Sequence, residues 1–339
     1  MDNIAFISYK IEDRSFVAYV KREIHNLIKD HFSTKRTGEI DIIVSELVSN
    51  MIKYAGKGEL LYRFFFRKES PVFELIALDN GPGIKDVPGM MKDGISSSNT
   101  LGHGLGSVTR LSNYSQIYSQ LTLGTIVYSQ ICSEEQEEIP KEIEDKILIR
   151  ALNVSKPGEE ECGDGYTIVK EKTGIKFMLG DGLGHGPLAH QSIQAAINSF
   201  NLNKNKFDPA DLLKDIHSDV KKTRGLVASI VSIDLKEKII KLCGIGNIAT
   251  RVYTGIVLKN NMSYNGIIGL NIPNTINNAT IPMEKYQTII LCSDGITTRW
   301  DISRYPSILK FDPLIIAALI YRDHGRKTDD MSVLVAKIK

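Results

Sequence analysis

The chain has 339 residues, 42% of them hydrophobic and 24% charged, with a formal net charge of +2. That length exceeds one ordinary core and predicts two domains, and the balance describes a globular chain rather than a fibrous or disordered one. No basic run appears, so nucleic acid is not implied as a partner.

Residues 13 to 31 carry apolar residues at helical spacing, with Phe16, Val20, Ile24, Leu27 and Ile28 on one face. A second helix is predicted from about Gly38 to Tyr54, with Ile43, Leu47 and Met51 as its apolar stripe. Glu46, Asn50 and Lys53 fall at i, i+4 and i+7 and share a face. The same spacing also describes a plain solvated helix surface. Strands are predicted at Leu60–Phe66 and Val72–Leu78, the second running into Asp79-Asn80-Gly81-Pro82-Gly83, a turn. A loop from Lys85 to Thr100 follows, with little periodicity. Gly102, Gly104 and Gly106 then open a short helix, Ser107 to Leu111. Glycines at a helix start bare N–H groups suited to phosphate, although one such loop is weak evidence. A hairpin, Tyr114–Gln120 and Thr125–Ile131, closes the region.

Three motifs stand in order: Glu46-Leu47-Val48-Ser49-Asn50 on a helix, Asp79-x-Gly81-x-Gly83 after a strand, and Gly102-x-Gly104-x-Gly106 at a helix start. Together they resemble the N, G1 and G2 boxes of the GHKL ATP-binding fold over about residues 5 to 132, and Gly124-Thr125 fits that family's closing hairpin. No phosphoacceptor-histidine helix pair precedes them, so the resemblance is to the small serine kinases of bacterial partner switching (RsbT- and RsbW-like). The resemblance implies an α/β sandwich binding Mg²⁺ and ATP. Asn50 would hold Mg²⁺, Asp79 would accept from the adenine amino group, and Gly81 and Gly83 would admit the base. Gly102, Gly104, Gly106 and Thr125 would complete the nucleotide site, and Glu46 would act as base for a serine hydroxyl. Phosphoryl transfer rests mostly on positioning and charge neutralisation, so a small set suffices.

Ser133 to Asp145 is acidic, contains Pro140 and lacks an apolar stripe. It reads as an interdomain linker, residues 133–145, between domains 1–132 and 146–339. Beyond it, strands are predicted at Ile147–Val154 and Tyr166–Lys170. An apolar run leads into Asp181-Gly182-Leu183-Gly184-His185-Gly186, and a helix begins at Pro187. A second helix opens at Asp208-Pro209. Strands follow at Leu226–Leu235, Ile239–Gly244, Ile248–Tyr253 and Gln287–Cys292, then a helix Leu314–Tyr321 and a strand Met331–Ile338. Strands, two helices, then strands predict an α+β domain of two packed sheets flanked by helices.

Four turns beside these strands carry acids: Asp164, Asp181, Asp294 and the pair Asp329-Asp330. Carboxylates with bared glycine carbonyls suit hard divalent cations and suggest a two-metal centre for phosphate hydrolysis. Gly163-Asp164, the Asp181–Gly186 motif, Ser293-Asp294-Gly295 and Asp329-Asp330-Met331-Ser332 resemble the PPM-type serine/threonine phosphatases in their short SpoIIE-like form. The Gly-Leu-Gly-His-Gly string and Gly244-Ile245-Gly246-Asn247 resemble the RsbX-like members. The resemblance implies two Mn²⁺ or Mg²⁺ ions held by Asp164, Asp181, the Gly182 carbonyl, Asp294 and Asp329, with Asp330 second in rank. His185 would be a general acid or would orient the glycine loop. Trp300 would border the cleft or anchor a core.

The two resemblances imply one bifunctional partner-switching regulator acting on a STAS-type antagonist of an anti-sigma factor, or on a similar signalling protein. The alternative is an ATP-binding sensor, or a partner-sequestering module, that gates the phosphatase without transferring phosphate. Cys132, Cys162, Cys243 and Cys292 have no zinc or disulfide spacing and read as reduced cysteines of a cytoplasmic protein. The N-terminus shows no signal pattern, and the apolar run Leu314–Tyr321 is too short to span a membrane. Oligomerisation is left open.

Overall fold

A computed structural model describes residues 3–91, 104–133, 146–255, 257–261 and 263–339. The chain forms two compact units, one of Phe6–Lys141 with Tyr305–Leu319 and one of Met1–Ala5, Glu142–Arg304 and Ile320–Lys339. The predicted linker, apart from Ser133, lies outside the described residues, as do Gly102 and His103.

In the first unit the elements are β1 (Ile7–Ile11), α1 (Ser15–Ile28), α2 (Thr34–Asn50), β2 (Gly58–Arg67), β3 (Ser70–Leu78), α3 (Val87–Met90), α4 (Gly104–Leu111), β4 (Tyr114–Gln120) and β5 (Gly124–Cys132). The strands form one antiparallel sheet in the order β1-β2-β3-β5-β4. Period-two alternation puts Leu60 and Tyr62 of β2 and Phe73 and Leu75 of β3 into one core with Val20, Ile24, Ile43 and Leu47 of the helices. The second helix begins four residues before the predicted Gly38, because Ser33 caps it by accepting the Arg36 N–H at 3.2 Å. Its end runs on as a π-helical turn, Met51–Ala55.

The opposite sheet face is also buried. It holds an ion pair, Arg63 Nη2 to Glu74 Oε2 at 2.6 Å, and Glu74 Oε1 accepts from Tyr128 and Gln130. Tyr305–Leu319 is fixed within this unit through β4. Gln116 Oε1 accepts the Asp312 N–H at 2.7 Å, and the Tyr118 and Phe311 rings meet edge to face.

The second unit comprises β6 (Ile147–Val154), β7 (Asp164–Glu171), β8 (Gly174–Gly182), α5 (Pro187–Leu202), α6 (Pro209–Asp219), β9 (Leu226–Asp234), β10 (Ile239–Ile245), β11 (Ala249–Thr254), β12 (Val257–Asn261), β13 (Ala279–Pro282), β14 (Gln287–Cys292) and β15 (Met331–Ile338). Helix α7, Pro313–His324, begins in the first unit and ends in this one. Two five-stranded antiparallel sheets result, β13-β10-β9-β8-β7 and β12-β11-β14-β15-β6. Phe177, Leu179, Val231 and Leu242 of one meet Ile149, Val252, Leu291 and Leu334 of the other in a single core. Helices α5 and α6 cover the outer face of the first sheet through Ile193, Phe200, Leu213 and Ile216 packed on Met178, Ala228 and Ile230. Sequence reading omits β1, β12 and β13. The last is a four-residue edge strand, mostly exposed, and so carries no apolar alternation. Trp300 is buried and lies under the Arg251 guanidinium, 3.9 Å from ring centre to Cζ, which is the anchoring role. Among the described residues no helix is long and apolar enough to cross a membrane.

Candidate functional site

Strands β7 and β8 pair so that Asp164 faces Asp181 directly, and opposed residues of an antiparallel pair project from the same face. The Gly182 N–H donates to the Gly163 carbonyl at 3.0 Å, so the pairing extends to the glycine motif. Glycine is required at Gly182, where a Cβ would come within 2.3 Å of the Ala189 carbonyl oxygen. In the other sheet, Asp294 follows β14 and Asp329 precedes β15. Ser293 and Ser332 tie those ends together, the Ser293 N–H donating to the Ser332 carbonyl at 3.1 Å and the Ser332 N–H to Ser293 Oγ at 2.9 Å. At Gly295 a Cβ would stand 1.9 Å from the Asp330 carbonyl oxygen, so the two acid-bearing turns press against each other.

These carboxylates disfavour one another's charge. Asp164 is buried, and neither of its oxygens has a hydrogen-bond partner. Burial pushes its carboxyl up to about 8, with the nearby Ser293 and Ser332 hydroxyls opposing the rise and Asp330 and Asp294 adding to it. Burial pushes Asp181 up to about 10, with Asp164, Asp294, Asp329 and Asp330 adding in that order. Among the described residues no three Asp, Glu, His or Cys side chains already stand in a metal-ligand cluster. An orphaned buried carboxylate among its like charges is nonetheless the environment that a divalent cation relieves, and an all-oxygen donor set suits Mg²⁺ or Mn²⁺.

Asp330 stands differently. Its Oδ1 accepts the Lys156 N–H at 2.8 Å and its Oδ2 the Gly163 N–H at 3.0 Å, so the carboxylate clasps both ends of the loop before β7. A cleft of about 440 Å³ is lined by Asp181, His185, Asn247, Asn265 and Asp329, among others. Asn247 Nδ2 donates to Asp294 Oδ2 at 3.0 Å. His185 Nδ1 lies 2.7 Å from Glu159 Oε1. Sequence reasoning missed Glu159, Asn265 and the role of Asn247. Only the tight Gly244–Asn247 turn signalled the last, and nothing in the run Glu159-Glu160-Glu161 singles out its first acid.

A second cluster lies in the first unit. Glu46 and Asn50 sit one turn apart on α2. The start of α4 comes up to both: a Cβ on Gly104 would be 3.3 Å from Glu46 Oε2 and 3.5 Å from Asn50 Nδ2. Gly106 is buried within α4. After β3, Asp79 Oδ1 accepts the N–H groups of Gly81 at 2.8 Å and Thr125 at 3.1 Å. Thr125 Oγ1 meets Ser119 Oγ at 2.9 Å, and Ser119 also accepts the Ile84 N–H. Gly83 holds φ +76°, and a Cβ there would stand 2.1 Å from the Gln120 carbonyl oxygen. Gly81 touches Ala55, the last residue of the π turn, so the end of α2 reaches the Asp79 turn. The structure thus gathers Glu46, Asn50 and Gly104 in one place and Asp79, Gly81, Gly83 and Thr125 in another, with the π turn between. Register shifts of this kind recur at functional sites.

Comparison with known proteins bears on both units. The family described as Stage II sporulation protein E (SpoIIE) matches residues 171–339. The serine/threonine-protein kinase RsbT of Bacillus subtilis (strain 168) is 37% identical over 94 residues, 28% of this chain and 71% of that protein. The phosphoserine phosphatase RsbX of the same organism is 30% identical over 115 residues, 34% of this chain and 53% of that protein, so the chain spans about half of RsbX. Two solved structures share the fold of 57% of the chain. RsbX in complex with magnesium is 20% identical, covered over 96% of its length, with a TM-score of 0.51. A structure described as "The bacterial stressosome: a modular system that has been adapted to control secondary messenger signaling" is 25% identical, wholly covered, with a TM-score of 0.52.

Proposed function

We propose a function for a chain that belongs to the RsbT family and carries a SpoIIE-type phosphatase domain: it is a two-module regulator whose C-terminal module hydrolyses phosphoserine on a protein and whose N-terminal module moves phosphate from ATP to serine. The buried, unpartnered carboxylate of Asp164 beside Asp181 carries the phosphatase half of this reading. Asp164, Asp181, Asp294, Asp329 and the Gly182 carbonyl would hold two divalent cations, Mn²⁺ or Mg²⁺. When bound, such ions supply Lewis-acid stabilisation and a nucleophilic water. The chain's own residues do the rest. Asn247 donates a hydrogen bond to Asp294, Asp330 holds the loop before β7, and His185 lines the cleft.

In the N-terminal module, Glu46 serves as base for the incoming serine, and Asn50, one turn on, holds Mg²⁺. Asp79 takes the adenine amino group within a GHKL-type site that Gly81, Gly83, Gly102, Gly104, Gly106 and Thr125 complete. Gly104 supports this placement, because it brings the start of α4 to within contact distance of both Glu46 and Asn50. Opposed activities on one chain call for one shared serine. By the resemblance to partner-switching proteins we assign that serine to a STAS-type antagonist of an anti-sigma factor or a similar signalling protein, in the cytoplasm.

The test is direct. The full-length Asp294→Asn chain with labelled ATP and Mg²⁺ should label a candidate STAS protein, and the wild-type chain with Mn²⁺ should release phosphate from the phosphorylated form. Failure to release phosphate from any phosphoserine protein overturns the phosphatase half. ATP binding without transfer overturns the kinase half.

A further inference from the structure

The acidic turn ahead of β7 is built in unusual detail for a surface loop. The Glu159 N–H donates to the Lys156 carbonyl at 3.0 Å, and Gly158 holds φ +93°. Both ends of the loop are clasped by Asp330. This presents Glu159 to the glycine motif. Its Oε1 meets His185 Nδ1 at 2.7 Å, and its Oε2 would be 2.8 Å from a Cβ on Gly186. Gly186 itself has φ +71°, and Gly184, on the other side of the histidine, has φ +90°. So the backbone on both sides of His185 adopts a conformation that side-chain-bearing residues avoid, and it leaves room for one carboxylate.

We infer that Glu159 is the positioning residue of His185, fixing the ring so that Nε2 delivers a proton to the leaving serine oxygen during phosphoserine hydrolysis. The inference rests on the phosphatase reading above. A carboxylate on Nδ1 selects the Nδ1–H form and leaves Nε2, on the far side of the ring, for the cleft that His185 lines. In the step, the ester O–P bond breaks and its electron pair stays on the serine oxygen, which takes the Nε2 proton of the imidazolium. Water supplies the oxygen of the new P–O bond, and a proton released from that water restores the imidazolium. The products are serine and inorganic phosphate. Glu159 remains a carboxylate throughout and keeps its hydrogen bond from Nδ1–H.

The experiment uses the full chain with Mn²⁺ and two esters, a phosphoserine peptide and p-nitrophenyl phosphate. Serine leaves as a poor alkoxide and needs the proton, whereas p-nitrophenolate leaves without one. Glu159→Gln should lower kcat on the peptide about ten-fold or more, the scale of a misplaced catalytic group, with KM within about two-fold. Turnover of the aryl ester should change less than about two-fold. In the His185→Ala background, Glu159→Gln should cost nothing further, since residues acting as a unit are not additive. Equal loss on both esters, or multiplied losses in the double variant, would overturn the inference. A readout independent of turnover is nitrogen NMR of the His185 ring in the metal-free protein. At a pH where the ring is neutral, the wild type should show the Nδ1–H tautomer and Glu159→Gln should lose it. An Nε2–H tautomer in the wild type would refute the pairing even with a normal enzyme. A wild type that shows the Nδ1–H tautomer but hydrolyses neither ester would instead sink the phosphatase reading, and the proton-delivery role with it.

Discussion

Asp79 and Asp164 each sit at the end of an apolar strand beside glycines, yet the chain treats them in opposite ways. Asp79 is furnished with donors by its own turn and by the β4–β5 hairpin. Asp164 is buried with neither oxygen hydrogen-bonded, opposite a second carboxylate. One site is satisfied before any ligand arrives and can select among ligands by shape. The other stores unrelieved charge that only a proton or a cation removes. The two sites should therefore respond differently to the same kind of substitution.

The largest effect is expected where charge is stored. Asp294→Asn keeps volume but removes a ligand charge, and should cut phosphoserine hydrolysis by about 10³-fold or more, several kcal/mol of lost stabilisation. The metal-free variant should melt no lower than the wild type, because one of the repelling carboxylates is gone. Normal turnover at saturating Mn²⁺ would show that Asp294 is no ligand.

Next comes the base. Glu46→Gln should bind Mg·ATP within a few-fold of wild type and lose transfer by about 10²–10⁴, the usual weight of a positioned base. Asn50→Ala should lose both, since the phosphates are then neither placed nor neutralised. Both should be made in full-length Asp294→Asn protein, which cannot erase the product. Cutting the chain after Ser133 would remove Tyr305–Leu319, which belongs to the same unit. Transfer undiminished in Glu46→Gln would remove Glu46 from the mechanism. A smaller change is expected at the self-satisfied acid. Asp79→Asn should weaken ATP binding about ten-fold, the scale of one charged hydrogen bond, and GTP should bind the wild type poorly. Equal calorimetric affinities for ATP and GTP would refute the adenine contact.

Sequence signals of short range are easily read. Asp208-Pro209 opens α6 as a cap and first-turn proline should, with the Asp208 side chain accepting the Asp211 N–H. Buried strands such as β6, β14 and β15 announce themselves as apolar runs bounded by turns. Partners distant in sequence leave no such mark. Gln116 and Asp312 are 196 residues apart, and nothing in either neighbourhood signals that Tyr305–Leu319 groups with β4 rather than with the strands around it. Asn3 likewise joins the second unit, accepting the Tyr166 N–H at 3.1 Å. Glu159 was hidden for the same reason, 26 residues from His185 in a run of three acids. Asp164, Asp181 and Asp294 stand out because each carries glycine beside a strand end, and Asp329 because it opens an acid pair just before one. What they cannot reveal singly is that Asp330 spends both oxygens on backbone N–H groups.

The smallest expected effect separates stored charge from mere acidity, and it is read by melting the metal-free chain. Folded Asp164 and Asp181 hold protons up to about 8 and about 10, whereas an unfolded aspartate has lost its proton well below neutrality. Between those limits the folded state binds more protons than the unfolded one. Raising the pH from 5 to 8 must then lower stability, by linkage. His217 and His324 work the other way, since burial holds both below their ordinary value and their folded forms gain on deprotonation. The comparison must therefore be made against Asp181→Asn, which keeps the histidines and removes one stored charge. Wild type should lose several degrees more than Asp181→Asn over that range, at about 2–4 °C per kcal/mol for a domain of this size. Mn²⁺ should abolish the wild-type excess, because a bound cation displaces the protons and is favoured as pH rises. If wild type and Asp181→Asn fell in parallel from pH 5 to 8 without metal, the carboxylates around Asp164 would not be the store of unrelieved charge that sets this site apart from Asp79.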